Sequence, residues 1–204
     1  MQISKEPEQE IVTKKMRKTQ DGFIQHFNKE GKKMISASDV YNQIIKKEPK
    51  ALTESIHKDL TGDYLMSSTR ITYKDFSNAE ITHDFGSNVV EPKTYNVKVP
   101  VYRGEFKEDN ETEAYLQALF DTKNDIDTIL RECKKFSKNK TFRLWTPDEN
   151  ERKSNPVRCV RLYFDDFDRF GVGAGGRADS VVGFSRGVIV PSAKQTPTKG
   201  RTSK

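Results

Sequence analysis

Arginine and aromatic side chains alternate in the C-terminal third of this chain, in two segments whose apolar residues predict neighbouring strands, 141–146 and 157–164. Arginines can pair with phosphates and aromatic rings can stack on unpaired bases, so this mixture suits single-stranded nucleic acid. Alternation along the second strand places Arg158 and Leu162 on one face and Arg161 and Tyr163 on the other. The candidate nucleic-acid-binding residues are Arg143, Trp145, Arg158, Arg161, Tyr163, Arg177, Arg186, Lys194, Lys199 and Arg201.

The same segments also fit ordinary packing, with the rings against a helix and the arginine head groups in water. Charge supports a binding role without choosing the partner. Residues 133–204 contain 16 Lys and Arg against 7 Asp and Glu, whereas residues 61–132 contain 8 against 14. A basic end beside an acidic middle indicates either a polyanion partner or head-to-tail contact between copies of the chain.

A glycine-rich segment, Gly171 to Gly176, matches the pattern G-x-G-x-x-G of dinucleotide-binding folds. Such a fold places a helix directly after the pattern, but Val181 to Phe184 predict a strand, so we interpret the segment as a loop. Residues 171–190 also resemble the glycine-rich loop of CRISPR-associated RNA-binding proteins of the RAMP type. The helix that usually precedes that loop is lacking, and no histidine can be assigned a cleavage role, so no function is transferred.

Three carboxylates, Asp165, Asp166 and Asp168, follow the second of these strands and could bind Mg²⁺ through oxygen ligands. A second set of carboxylates and an activated nucleophile cannot be identified. The three histidines are scattered, and Cys133 and Cys159 are too few for a zinc site or a disulfide framework. We therefore expect a chain that is not an enzyme and that has no metal or cofactor.

The elements that would position these residues begin with helices. Residues 1–35 are polar and lysine-rich and predict an arm with one short helix. Ser36 followed by Asp39 is a capping-box signal, and the apolar spacing after it predicts a short helix that ends at Pro49. A second short helix is predicted to end at a turn that begins at Thr61.

Strands and one long helix are predicted to follow. Alternation favours strands at 65–73, 80–85 and 95–106, and an apolar stripe from Asn110 to Phe136 predicts a single long helix. The strands 141–146 and 157–164 are joined by a predicted loop, 147–156. Short strands at 180–184 and 187–190 precede a tail without large apolar residues.

These patterns predict an α+β fold: a mainly antiparallel sheet, one long crossing helix, two short N-terminal helices and polar arms at both ends. The alternative is a small barrel or sandwich with a crossing helix. The predicted divisions are a basic arm (1–35), one domain (36–190) and a basic flexible tail (191–204).

We expect a binding protein that contacts single-stranded DNA or RNA, or only its phosphates, through the basic C-terminal third. The alternative is a structural assembly component, such as a virion or large-complex subunit, whose arms are ordered by neighbouring subunits and which can form a homo-oligomer. Apolar residues make up 33% of the chain against 32% charged, and no run approaches the roughly 18 apolar residues of a membrane span. The expected location is the cytoplasm or a virion, with no membrane partner.

Overall fold

A computed structural model of the 204-residue chain describes residues 11–14, 17–47, 50–61, 64–100, 110–179 and 184–189. The fold is mixed α+β. The helices are α1 (Gln20–Lys29), α2 (Ala37–Asp39, continued by the π-helical turn Val40–Ile45), α3 (Lys50–Leu60), α4 (Asn110–Phe120), α5 (Ile126–Phe136) and α6 (Glu149–Ser154). The strands are β1 (Ile11–Lys14), β2 (Lys33–Met34), β3 (Leu65–Tyr73), β4 (Asn78–His83), β5 (Lys93–Lys98), β6 (Phe142–Trp145), β7 (Val157–Phe164), β8 (Phe170–Arg177) and β9 (Ser185–Val188).

A curled sheet of six strands, in the order β5-β4-β3-β7-β8-β6, forms the body of the fold. Neighbouring strands are antiparallel, except that β6 and β8 are parallel. A smaller sheet has the order β1-β9-β2. The predicted α+β class with a mainly antiparallel sheet is confirmed.

Two hydrophobic clusters lie on opposite faces of the large sheet. Leu65 of β3 and Leu162 of β7 belong to the larger cluster, which the helices α2 to α5 complete. Met66 and Cys159, on the same two strands, belong to a smaller cluster with apolar side chains of α1. Neighbouring residues on a strand point to opposite faces of the sheet. Helix α1 therefore covers part of the face opposite to the one that α2 to α5 cover.

Helix α1 lies within residues 1–35, for which the sequence predicts a polar arm. Its side chains Phe23 and Phe27 are fully buried, and Gln20 donates to the carbonyl oxygens of Ser67 (2.8 Å) and Thr69 (3.1 Å) in β3. Residues 17–35 therefore pack into the fold. The capping box predicted at Ser36 and Asp39 is present.

The single long helix predicted from Asn110 to Phe136 is not found. The chain forms two helices of 11 residues, α4 and α5. Between them Asp121 has a left-handed backbone (φ 47°), and the Asp125 side chain caps α5 by accepting from the amide of Thr128 at 2.7 Å. A residue at positive φ ends the regular helical geometry, and the new cap starts a second helix.

The prediction of a loop for the glycine-rich segment Gly171 to Gly176 is wrong. The segment lies in the strand β8. The predicted loop 147–156 contains α6. The predicted strand 95–106 is described only to residue 100, and residues 180–183 and the predicted tail lie outside the described residues. Among the helices that the structure describes, none is long and apolar enough to cross a membrane.

Candidate functional site

Four of the predicted site residues lie together on the face of the large sheet that α1 covers only in part. The parallel pairing of β6 with β8 and the antiparallel pairing of β8 with β7 set one row in which Arg143 and Tyr163 flank Gly171. On these strands the neighbouring side chains, such as Leu144 and Val172, point into the larger cluster. We name the opposite surface the arginine–aromatic face; its members are Arg143, Trp145, Arg161 and Tyr163.

A second row lies beside the first, with Trp145 and Arg161 flanking Gly173. Trp145 and Arg161 are both partly exposed. The two rows alternate an arginine and an aromatic residue along β6 and along β7. The mixture of arginine and aromatic residues that the sequence predicts within individual β-strands therefore extends across β6, β8 and β7.

The glycines of β8 let side chains of β7 cross the strand. A Cβ atom on Gly171 would lie 2.6 Å from Cε2 and 2.7 Å from Oη of Tyr163. A Cβ atom on Gly176 would lie 2.8 Å from Cδ of Arg161. Real Cβ atoms do not approach so closely, so any larger residue at these two positions would displace the Tyr163 ring or the Arg161 side chain.

The turn between β7 and β8 continues the same mixture of charge and rings. Asp165 accepts from Nε of Arg169 at 2.7 Å and lies 3.7 Å from Nη1 of Arg143. Partial burial would raise the pKa of Asp165, but hydrogen bonds from Arg169 and the amide of Phe167 outweigh it and lower that pKa. The Arg169 guanidinium lies 4.6 Å from the centroid of the Phe167 ring, which is 65% exposed.

Tyr64 adds a further exposed ring to the face. Its centroid lies 5.4 Å from that of Tyr163 in an edge-to-face arrangement, and its side chain is 46% exposed. Burial raises the pKa of Tyr163, and so does the neighbouring Tyr64, so its phenol is neutral near pH 7. Neither Tyr64 nor Arg169 is among the site residues predicted from the sequence, because their proximity depends on strand pairing, which short-range patterns do not show.

The other predicted site residues lie elsewhere. Arg158 is buried and donates to the carbonyl oxygens of Asn155 (2.8 Å) and Glu151 (2.6 Å). Arg186 is 1% exposed and pairs with Asp59 of α3. We therefore leave these two arginines out of the site.

Arg177 ends β8 and is exposed, and its guanidinium is paired with Asp179 through contacts of 3.0 Å and 2.8 Å. Its carbonyl oxygen accepts from Nη2 of Arg161 at 3.2 Å. Arg177 thus lies at the border of the arginine–aromatic face. Lys194, Lys199 and Arg201 are outside the described residues.

Of the three carboxylates predicted as candidate Mg²⁺ ligands, Asp165 is used within the β7–β8 turn. Asp165 accepts from the amides of Phe167 (3.0 Å) and Arg169 (3.1 Å), and Asp168 has a left-handed backbone with φ 53°. Within the part of the chain that the structure describes, no group of three or more His, Cys, Asp or Glu side chains could hold a metal ion.

The thiols and histidines are placed in the core or against rings. Burial raises the pKa of Cys133 and Cys159, which disfavours the reactive thiolate. His57 stacks on Phe164 with centroids 4.4 Å apart, and burial lowers its pKa. These environments are those of packed side chains.

Comparison with known proteins gives neither a family nor a function for this chain. The chain matches no protein-family model, no curated protein and no solved structure.

Proposed function

We propose that this protein is a non-enzymatic binding protein that contacts single-stranded nucleic acid through the arginine–aromatic face. The observation that carries the proposal is the placement of Arg143, Trp145, Arg161 and Tyr163 on one surface across β6, β8 and β7. Arginine side chains supply charge and hydrogen-bond donors for phosphates, and ring faces supply stacking platforms for bases. A surface that offers both suits a strand whose bases are unpaired.

The central strand of the face, β8, also supports a single-stranded ligand. The glycines of β8 carry no side chains, and Tyr163 lies across Gly171. A base can then approach the ring without a bulky neighbour on β8. Paired bases in a duplex expose only their edges, so such a platform favours single strands.

The charge of the chain supports a polyanion. Residues 133–204, which contain β6, β7 and β8, have 16 Lys and Arg against 7 Asp and Glu. Each phosphate contact with a single strand releases counterions and contributes about 0.7 to the slope of log affinity against log salt. Binding should therefore weaken linearly on that scale as salt rises.

The test removes two cations from the face. The double variant Arg143→Gln, Arg161→Gln should lower the affinity for labelled oligo(dT) and oligo(U), measured by fluorescence anisotropy, by about tenfold near 50 mM salt. Its salt slope should be smaller by about 1.4, because two phosphate contacts are lost. Oligonucleotides longer than roughly 16 nucleotides would cover the whole face.

A matched control loses the same charge at the far edge of the sheet. Lys93 and Lys98 lie on β5, where they pair with Asp121 (2.7 Å) and Glu111 (3.2 Å). The variant Lys93→Gln, Lys98→Gln should keep the affinity of the wild type. Equal losses in both double variants would show unspecific attraction, and no binding by the wild type near 50 mM salt would overturn the proposal.

A further inference from the structure

A basic cavity of about 410 Å³ lies on α5, outside the arginine–aromatic face. Residues at positions i, i+3, i+4 and i+7 of a helix share a face, and this spacing places Asp127, Leu130, Arg131 and Lys134 along one side of the cavity. The described residues that line the cavity are Asp127, Leu130, Arg131, Lys134, Lys135 and Lys140. This set combines four cations with one carboxylate, and none of its members is aromatic.

Two of these cations are available for a ligand. Lys134 and Lys140 are exposed, and neither has a carboxylate partner among the residues that the structure describes. Cations near the end of a helix are favoured by its dipole, which accounts for Lys134 without a ligand. Lys140 lies beyond the helix at φ 51°, so the dipole does not account for its place in the lining.

The cavity lies on the side of the large sheet that α5 covers, and the connection from α5 to the edge strand β6 links it to the arginine–aromatic face on the opposite side. Lys140 precedes Arg143 by three residues, a span of at most about 10 Å. Ser137, in the same connection, donates its hydroxyl to the carbonyl oxygen of Asp168 at 2.9 Å and accepts from the amide of Phe170 at 3.3 Å. The turn after α5 is therefore held against the β7–β8 turn.

We infer that the nucleic acid bound on the arginine–aromatic face continues around the edge strand β6 into the α5 cavity, where Lys134 and Lys140 contact its sugar-phosphate backbone. This inference rests on the proposed function. Because none of the described lining residues is aromatic, the cavity contributes phosphate contacts without base stacking. The protein then has a stacking part and a phosphate part along one path.

An acidic segment of a second copy is the competing occupant, and the described contacts of α4 argue against it. Glu111 pairs with Lys98 at 3.2 Å. Glu113 accepts from the amide of Ile126 at 3.1 Å and from Gln117 at 3.3 Å. These two acidic side chains are already used within the chain, whereas Lys134 and Lys140 have no carboxylate partner among the residues that the structure describes.

The test measures how affinity depends on oligonucleotide length in the full chain. In the double variant Lys134→Gln, Lys140→Gln, oligo(dT) of about 4 nucleotides should bind as in the wild type, since it covers only the arginine–aromatic face. Oligo(dT) longer than about 16 nucleotides should bind about tenfold more weakly near 50 mM salt, with a salt slope smaller by about 1.4.

The control is Lys74→Gln, Lys153→Gln, which removes two exposed cations paired with Glu80 and Glu149. This control variant should bind oligo(dT) of both lengths with the affinity of the wild type. Equal affinities of the α5 variant and the wild type for long oligonucleotides would overturn the inference and leave the proposed function intact. Self-association of the wild type that the α5 variant abolishes, with unchanged binding of long oligonucleotides, would assign the cavity to a second copy and overturn it too. No binding of either length by the wild type would refute the proposed function itself.

Discussion

Tyr163 and Gly171 show why the glycines of β8 matter at the scale of single residues. The ring crosses the strand because Gly171 has no Cβ, whereas Gly173 leaves 3.6 Å between a Cβ and Cε1 of Tyr163. Gly171 is thus required by the close approach of the Tyr163 ring, whereas a Cβ at Gly173 would lie at an ordinary contact distance from that ring. The pair offers a test of whether the position of the ring matters for binding.

Gly171→Ala should displace the Tyr163 ring and lower both stability and binding. Overpacking at a tight position costs about 1–3 kcal/mol of the free energy of unfolding, which urea denaturation measures. Loss of one stacking platform should lower the affinity for oligo(dT) roughly tenfold in the anisotropy titration. Gly173→Ala is the matched control and should lose less affinity than Gly171→Ala, because its Cβ would lie at an ordinary contact distance from the Tyr163 ring. Equal losses in the two variants would contradict the role of the ring.

Part of the site could be predicted at this scale. Alternation along β7 correctly separates Arg158 from Arg161 and Tyr163, because side chains on a strand alternate whatever surrounds them. It cannot show which arginine is buried. Arg186 pairs with Asp59, 127 positions away, and only the fold brings the two together.

At the scale of elements, the sequence predicts β3 with its observed ends and the N-terminal cap of α2. It misses the break between α4 and α5, because the apolar spacing continues across Asp121 and hides the local change in backbone. It also misses β8, since glycine is rare in strands and the reason for it is the side chains of β7. Errors of this kind come from contacts between elements.

His83 of β4 links several elements through a chain of hydrogen bonds. Thr69 of β3 accepts from the amide of Ala37 at 2.9 Å, and its hydroxyl lies 2.9 Å from Nδ1 of His83. Nε2 of His83 lies 2.8 Å from the carbonyl oxygen of Ala118 in α4. These partners assign the proton of the neutral ring to Nε2 and leave Nδ1 as the acceptor.

Acid should weaken this connection. Burial lowers the pKa of His83 below its ordinary value of 6.5, so the folded state favours the neutral ring. The stabilisation is complete above pH 6.5 and is lost as the pH falls through the lowered pKa. The free energy of unfolding should therefore fall between about pH 7 and 5, by at most about 1.4 kcal/mol per pH unit for this one proton.

His83→Gln keeps one acceptor and one donor but cannot titrate in this range. It should be less stable than the wild type near pH 8 and should show a smaller decrease in the free energy of unfolding towards pH 5. Other titrating groups are the same in both proteins, so urea denaturation at several pH values isolates this residue. Identical pH dependence of the two proteins would contradict the assignment of a neutral, buried His83.

At the scale of the whole molecule, the uneven charge of the chain and the arginine–aromatic face both support the proposed nucleic-acid ligand. The basic C-terminal third contains the arginine–aromatic face and half of the residues that line the α5 cavity, while Glu111 and Glu113 in the acidic middle have partners within the chain. Composition alone leaves a polyanion and a neighbouring subunit equally open. The proposed function accounts for the rings of the arginine–aromatic face and for the exposed Lys134 and Lys140, which have no carboxylate partner among the described residues.

Trp145 provides the most direct test of this account, because it is the only tryptophan of the chain and lies on the arginine–aromatic face. Titration of the wild type with unlabelled oligo(dT) near 50 mM salt should quench its fluorescence to saturation, since a base that stacks on or near the indole changes its surroundings. Added salt should reverse the quenching along the slope found by anisotropy. Anisotropy that reports binding while Trp145 fluorescence stays constant, or no change in either signal, would contradict the placement of the strand on this face.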